Sequence, residues 1–134
     1  MVDCLGQVKK GDVVLLHGCC HNPTGADLTK DQWQVVLELA QKTGFVPFVD
    51  TAYQGFGDGL EEDAYGMRLL VNNLPEVIIA ASCSKNFGLY RERVGVALMV
   101  TENSATRQAI QSQIQSIARG IYSMPPSYGG ALVD

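Results

Sequence analysis

Short apolar runs alternate along the chain with longer stretches of three-four periodicity, and that alternation predicts an α/β fold. Val13-Val14-Leu15-Leu16 reads as a buried strand that empties into a polar turn over residues 18–27. Thr29 with Gln32 three residues on is the signature of a capping box. The helix it opens places Trp33, Val36, Leu37 and Ala40 on one face and stops at Gly44. Residues 45–49 predict a second strand, with Asp50 at its end and then a loop holding Gly55, Gly57 and Gly59. One helix is expected over residues 61–72, with Ala64, Met67 and Leu70 or Val71 inward. Residues 77–81 read as a third strand, 82–93 as a polar segment and 94–100 as a fourth strand rich in β-branched and apolar residues. A last helix begins near Ser104 and passes Ile110, Ile114 and Ile117 before Pro125-Pro126 forbid its continuation. With no repeat, low-complexity tract or linker, the 134 residues read as one unit able to bury a sizeable core.

Three strand ends, after Leu16, Val49 and Ala81, thus deliver polar loops. Ligands of open α/β sheets bind outside the carboxyl ends of the strands. Those loops hold nearly every residue with chemical promise, which predicts one site.

Composition narrows the partners. An apolar content of 46% with 18% charged residues is that of a soluble globular protein. A net charge of −4 argues against nucleic acid or an anionic membrane as the main partner, so any bound anion must meet a local positive cluster. No apolar run is long enough to span a bilayer and no signal-peptide pattern opens the chain, so a cytoplasmic location is expected. Cys4, Cys19, Cys20 and Cys83 fit neither a zinc ribbon nor a disulfide framework, and read as free thiols of a reducing cytosol. His17 and His21 flank the adjacent cysteines, but no carboxylate stands at ligand spacing in the sequence, and no metal is expected.

Lys85, in Ser82-Cys83-Ser84-Lys85-Asn86, reads on its own as a solvated lysine. Its neighbours change that. Arg93 offers a planar fork to an anion, and the Ser82 hydroxyl can donate to the same anion, so the two look like half of a phosphate cradle. Asp50 is either a turn cap or a carboxylate able to keep a pyridinium nitrogen protonated, with the Tyr53 phenol in reach of a ring oxygen. His21-Asn22-Pro23-Thr24-Gly25 is a fixed turn in which Asn22 either serves the connection alone or bonds that oxygen too. The residues alone leave both choices open.

Three ordered segments carry a resemblance: residues 14–25 ending in His-Asn-Pro-Thr-Gly, Asp50-Thr-Ala-Tyr-Gln-Gly-Phe56, and residues 82–95 from Ser-Cys-Ser-Lys to Arg-Val-Gly. Over residues 11–134 the chain resembles the fold-type I, class I aminotransferases, and within them the aspartate and aromatic amino-acid group. The resemblance implies a mostly parallel sheet flanked by helices and pyridoxal 5'-phosphate (PLP) as cofactor. It implies that Lys85 is the Schiff-base lysine and proton shuttle, and Asp50 the partner of the pyridine nitrogen. Asn22 and Tyr53 would bond the PLP ring oxygen, Asn22 also touching substrate, while Ser82 and Arg93 hold the phosphate. Arg119 would bind the distal carboxylate of a dicarboxylic substrate, reaching into the partner subunit of a homodimer; without the resemblance it reads as a helix-end cation. The implied reaction is ping-pong transfer of an amino group from L-aspartate or an aromatic amino acid to a 2-oxo acid such as 2-oxoglutarate. Residues 1–134 are expected to be the central part of the large, PLP-binding domain, lacking an N-terminal segment and the C-terminal small domain. Exposed apolar surface and strand edges, and no turnover by the 134 residues alone, are the corresponding expectations. Two alternatives stand beside this: a PLP-dependent lyase on the same scaffold, and a folded, non-catalytic domain that binds PLP weakly or only a partner chain.

Overall fold

In the computed structural model, which describes residues 1–134, ten elements follow one another: α1 (Val2–Leu5), β1 (Val13–His17), α2 (Lys30–Thr43), β2 (Val46–Thr51), α3 (Leu60–Asp63), α4 (Tyr65–Asn73), β3 (Val77–Ser82), β4 (Gly95–Val100), α5 (Ser104–Ile121) and α6 (Ser127–Val133). The strands form one sheet in the order β1-β2-β3-β4. The first three are parallel and β4 runs antiparallel to β3, so the sheet is mostly parallel as expected. The crossovers between parallel strands carry helices, which brings the carboxyl ends of β1, β2 and β3 to the same edge.

The two faces of the sheet differ sharply. Leu16, Val49 and Ile79 share a register row on the face that packs into the core with Trp33, Val36, Leu37 and Ala40 of α2 and Leu70 of α4. The capping box at Thr29–Gln32 opens α2 and Gly44, at φ 79°, closes it in the left-handed region. Where α2 meets α4, Gly66 gives the Trp33 indole its space; a Cβ there would overlap the ring. The opposite face carries the rows Leu15–Phe48–Ile78–Met99 and His17–Asp50–Ala80–Ala97. Leu15 is 59% exposed, and no residue of α5 is buried. The total surface of 8870 Å² exceeds the about 6900 Å² of a closed domain of this mass, so apolar surface is left open as expected. No helix is long and apolar enough to cross a membrane.

Several expectations shift. The single helix over 61–72 is two, α3 and α4, because the Asp63 side chain turns back to the preceding loop and the chain re-enters a helix after Ala64. β2 starts at Val46 and includes Asp50, which therefore stands in the sheet rather than beyond it. β4 starts at Gly95, since the Val94 carbonyl accepts the Cys83 N–H at the mouth of the loop. The short helices α1 and α6 have no clear periodic signal and went unpredicted.

Candidate functional site

The loop leaving β1 is folded around one carboxylate. Asp27 accepts the backbone N–H groups of Cys20 (2.6 Å) and His21 (2.7 Å), and Cys20 takes φ 49° to present them. The His21 carbonyl accepts the Gly25 N–H, and the Thr24 hydroxyl pairs with His21 Nδ1 at 2.6 Å. Gly25 sits at φ 65°, as its place in the turn requires, and the Asn22-Pro23 peptide is cis. The hydrogen bonds of this turn hold Asn22 at the end of the sheet, beside Asp50.

Beyond β2 the glycine-rich loop is organised by Asp63. Its carboxylate accepts the N–H groups of Gly55 (2.8 Å), Gly57 (3.0 Å) and Asp58 (2.9 Å). Burial pushes the pKa of this carboxyl up, but the N–H groups of Gly57, Asp58 and Gly55 outweigh it and hold it below the usual carboxylate value. Tyr53 leads into this loop, and its carbonyl accepts the Phe56 N–H.

The third loop spans Ser82 and Gly95, which face each other in the antiparallel register. Cys83 N–H donates to the Val94 carbonyl and Leu89 N–H to the Cys83 carbonyl, closing the loop at its base. Lys85 opens an inner turn whose carbonyl accepts the Gly88 N–H, with Gly88 at φ 68°. Gly95 is required beside β3, since a Cβ would come within 2.6 Å of the Ala81 carbonyl oxygen.

Together the three loops enclose a cavity of about 150 Å³ lined by His17, Cys19, Asn22, Asp50, Ala52, Tyr53 and Lys85. Lys85 Nζ stands over the Tyr53 ring, 5.1 Å from its centroid. Asn22, Asp50, Tyr53 and Lys85 are thus brought together. Ser82 and Arg93 sit outside this lining: the Ser82 hydroxyl accepts the Ser84 N–H, and the Arg93 guanidinium donates to the Tyr90 carbonyl at 3.3 Å. Both flank the base of the Lys85 loop. Arg119, in the last turn of α5, is exposed and donates to the Ser123 hydroxyl, apart from the cavity.

His17 belongs to the site although the sequence raised it only as a metal ligand. It pairs in register with Asp50, lines the cavity, and places its ring 4.4 Å from that of His21. Its position at the end of a strand, alternating with Leu16, was the available signal. Asp27 and Asp63 gave no such signal, because their partners are backbone groups. The sequence places no carboxylate at ligand spacing to the cysteine pair, and the fold supplies one. Asp63 is brought to Cys19 and Cys20 by the folding of its loop over the end of β1. Burial, reinforced by the Asp63 charge, pushes the Cys19 thiol up to about 12.

The donor set suits a phosphorylated pyridine aldehyde: an amine, a carboxylate, a phenol and an amide around one cavity, with a hydroxyl and a guanidinium beside it. Residues 1–133 match the family model described as aminotransferase class I and II. The chain belongs to that family. It is 57% identical over 97% of its length to the aromatic-amino-acid aminotransferase of Paracoccus denitrificans, of which it covers 33%. With the aspartate aminotransferase of Haemophilus influenzae it shares 52% identity over 99% of its length and 34% of that protein. A solved aromatic-amino-acid aminotransferase of Burkholderia pseudomallei, covalently bound to pyridoxal phosphate, superposes with a TM-score of 0.96 at 43% identity, covering 99% of this chain and 33% of that one. The chain therefore spans about a third of the length of the aminotransferases it matches.

Proposed function

We propose that this chain is the cofactor-holding, central part of the large domain of a PLP-dependent aminotransferase that exchanges the amino group of L-aspartate and/or aromatic amino acids with 2-oxoglutarate. The observation that carries the reading is the convergence of Lys85, Asp50, Tyr53 and Asn22 on one cavity from three separate loops. The names of the similar proteins support both substrate classes.

When bound, PLP supplies an aldehyde for an amine and a ring that takes up electrons from a bond broken at the substrate α-carbon. Lys85 Nζ would hold the cofactor by that aldehyde. With the substrate amine in its place, Nζ would take the proton from the substrate α-carbon and deliver it to the carbon that bore the cofactor's aldehyde oxygen, as base and then acid. Asp50, fixed in β2 beside His17, keeps a proton on the ring nitrogen. The Tyr53 hydroxyl and Asn22 amide orient the ring through its oxygen, Asn22 also meeting substrate. Ser82 keeps its own hydroxyl proton to donate to the phosphate, and Arg93 would exchange its bond to Tyr90 for phosphate oxygens. The family resemblance, and not the geometry of this cavity, assigns Arg119 to the distal carboxylate of substrate in the neighbouring copy of a homodimer; its exposed place apart from the cavity leaves it free to reach one. The enzyme is proposed to act in the cytoplasm.

Lys85→Ala in the full-length protein tests the reading. Transamination is expected to fall by more than about a hundredfold with circular dichroism unchanged. An ordinary rate would remove Lys85 from the chemistry and the proposal with it.

A further inference from the structure

Cys19 and Cys20 follow one another at the exit of β1, and folding supplies the third ligand that the local sequence lacks. The two Sγ atoms and a carboxylate oxygen of Asp63 all lie within 4.8 Å of one another. Cys20 reaches this place in the left-handed region, at φ 49°, held there by the bond from its N–H to Asp27.

The surroundings favour a cation. Asp63 is buried, and the one ion pair of the chain joins Arg68 to Glu61, so no cationic side chain pairs with Asp63. The adjoining cavity of about 190 Å³ is lined by Asp27, Asp58 and Glu62 as well as Asp63. Its only cation, Lys30, holds its ammonium over the Tyr65 ring, 5.3 Å from the centroid. The Asp63 carboxylate accepts the N–H groups of Gly55, Gly57 and Asp58, with Gly59 as a fourth donor, so a metal at its oxygen replaces one of these bonds.

We propose that Cys19, Cys20 and Asp63 bind one soft divalent cation of the zinc and cadmium class, with water as the fourth ligand. Two metal–sulfur bonds and one metal–oxygen bond form, and each thiol gives its proton to solvent, so two protons leave per cation. Metal–sulfur bonds of about 2.3 Å place tetrahedral ligands about 3.8 Å apart, so the three atoms close by at most about 1 Å, within reach of small side-chain rotations. Thiolates select this class over magnesium or calcium. Cys19 lines both the acidic cavity and the one containing Lys85, so the ion occupies their common wall. The proposal does not depend on the cofactor reading.

The test titrates reduced, metal-free, full-length protein with Cd²⁺ and follows the thiolate-to-cadmium charge-transfer absorption. The band is expected to saturate at one ion per chain, to weaken in affinity by at least about tenfold in Cys20→Ser, and to persist in Cys4→Ser and Cys83→Ser. A second readout uses the unaltered protein: Cd²⁺ should shield Cys20 from alkylation by iodoacetamide, seen by peptide mapping, while Cys4 and Cys83 label as before. A chelator should remove the shield. No saturable band in folded protein, an undiminished band in Cys20→Ser, or shielding at Cys4 or Cys83 in place of Cys20 overturns the proposal.

Discussion

Replacing Asp63 by asparagine tests whether one carboxylate sets the loop that carries Tyr53 to the cavity. Asp63 is 8% exposed and receives N–H bonds from Gly55, Gly57 and Asp58. Asparagine keeps one oxygen and turns an NH₂ group toward the donors that the other oxygen served. In the better orientation the oxygen keeps Gly55 and Gly57, and the Asp58 N–H faces another donor. Losing one bond to a charged acceptor costs about 1.5–3 kcal/mol. The loop should therefore lose up to about 3 kcal/mol of local stability. About 3 kcal/mol is about a hundredfold in the opening equilibrium. Hydrogen exchange of the full-length protein at neutral pH reads this directly: amides of residues 55–58 should exchange about ten- to a hundredfold faster while those of β2 and β3 hold. Unchanged loop exchange in a folded variant would refute the reasoning. The wild type adds a pH signature. The folded carboxyl titrates below the unfolded value of about 3.9, so its contribution is complete above that value and is lost as pH falls through the lower, folded one. Loop protection should thus have an acid step that Asp63→Asn lacks.

Two further outcomes follow from packing and from the site. Gly66→Ala forces the Trp33 indole and α4 apart and should destabilise by about 1–3 kcal/mol in urea denaturation, since the overlap is with a ring fixed in the core. Asp50→Asn should lower kcat strongly while PLP remains bound, measured by steady-state rates alongside cofactor absorbance; unchanged turnover would take Asp50 out of its proposed role.

Much of the fold was legible because the physics was local. Thr29 and Gln32 meet within one turn, Gly44 ends its own helix, and alternating Val and Leu positions mark strands without knowledge of their partners. The convergence of Asn22, Asp50, Tyr53 and Lys85 followed from parallel strands sharing a carboxyl edge, which the alternation of strand and helix already required. What escaped depended on distant backbone. Asp27 and Asp63 act on N–H groups whose direction only the folded loops define, so Asp63 broke a predicted helix and joined the cysteines without a sequence signal. The bond from Arg93 to the Tyr90 carbonyl of its own loop had no sequence signal for the same reason.

The central claim is that Lys85 carries the cofactor. Borohydride reduction of the PLP-loaded, full-length protein, followed by peptide mapping, tests it at a single atom. Of the five lysines of this chain, Lys9, Lys10, Lys30, Lys42 and Lys85, the reduced phosphopyridoxyl adduct should fall stoichiometrically on Lys85, the one that lines the cavity with Asp50 and Tyr53. An adduct spread over Lys9, Lys10, Lys30 and Lys42, or none on Lys85, would contradict it.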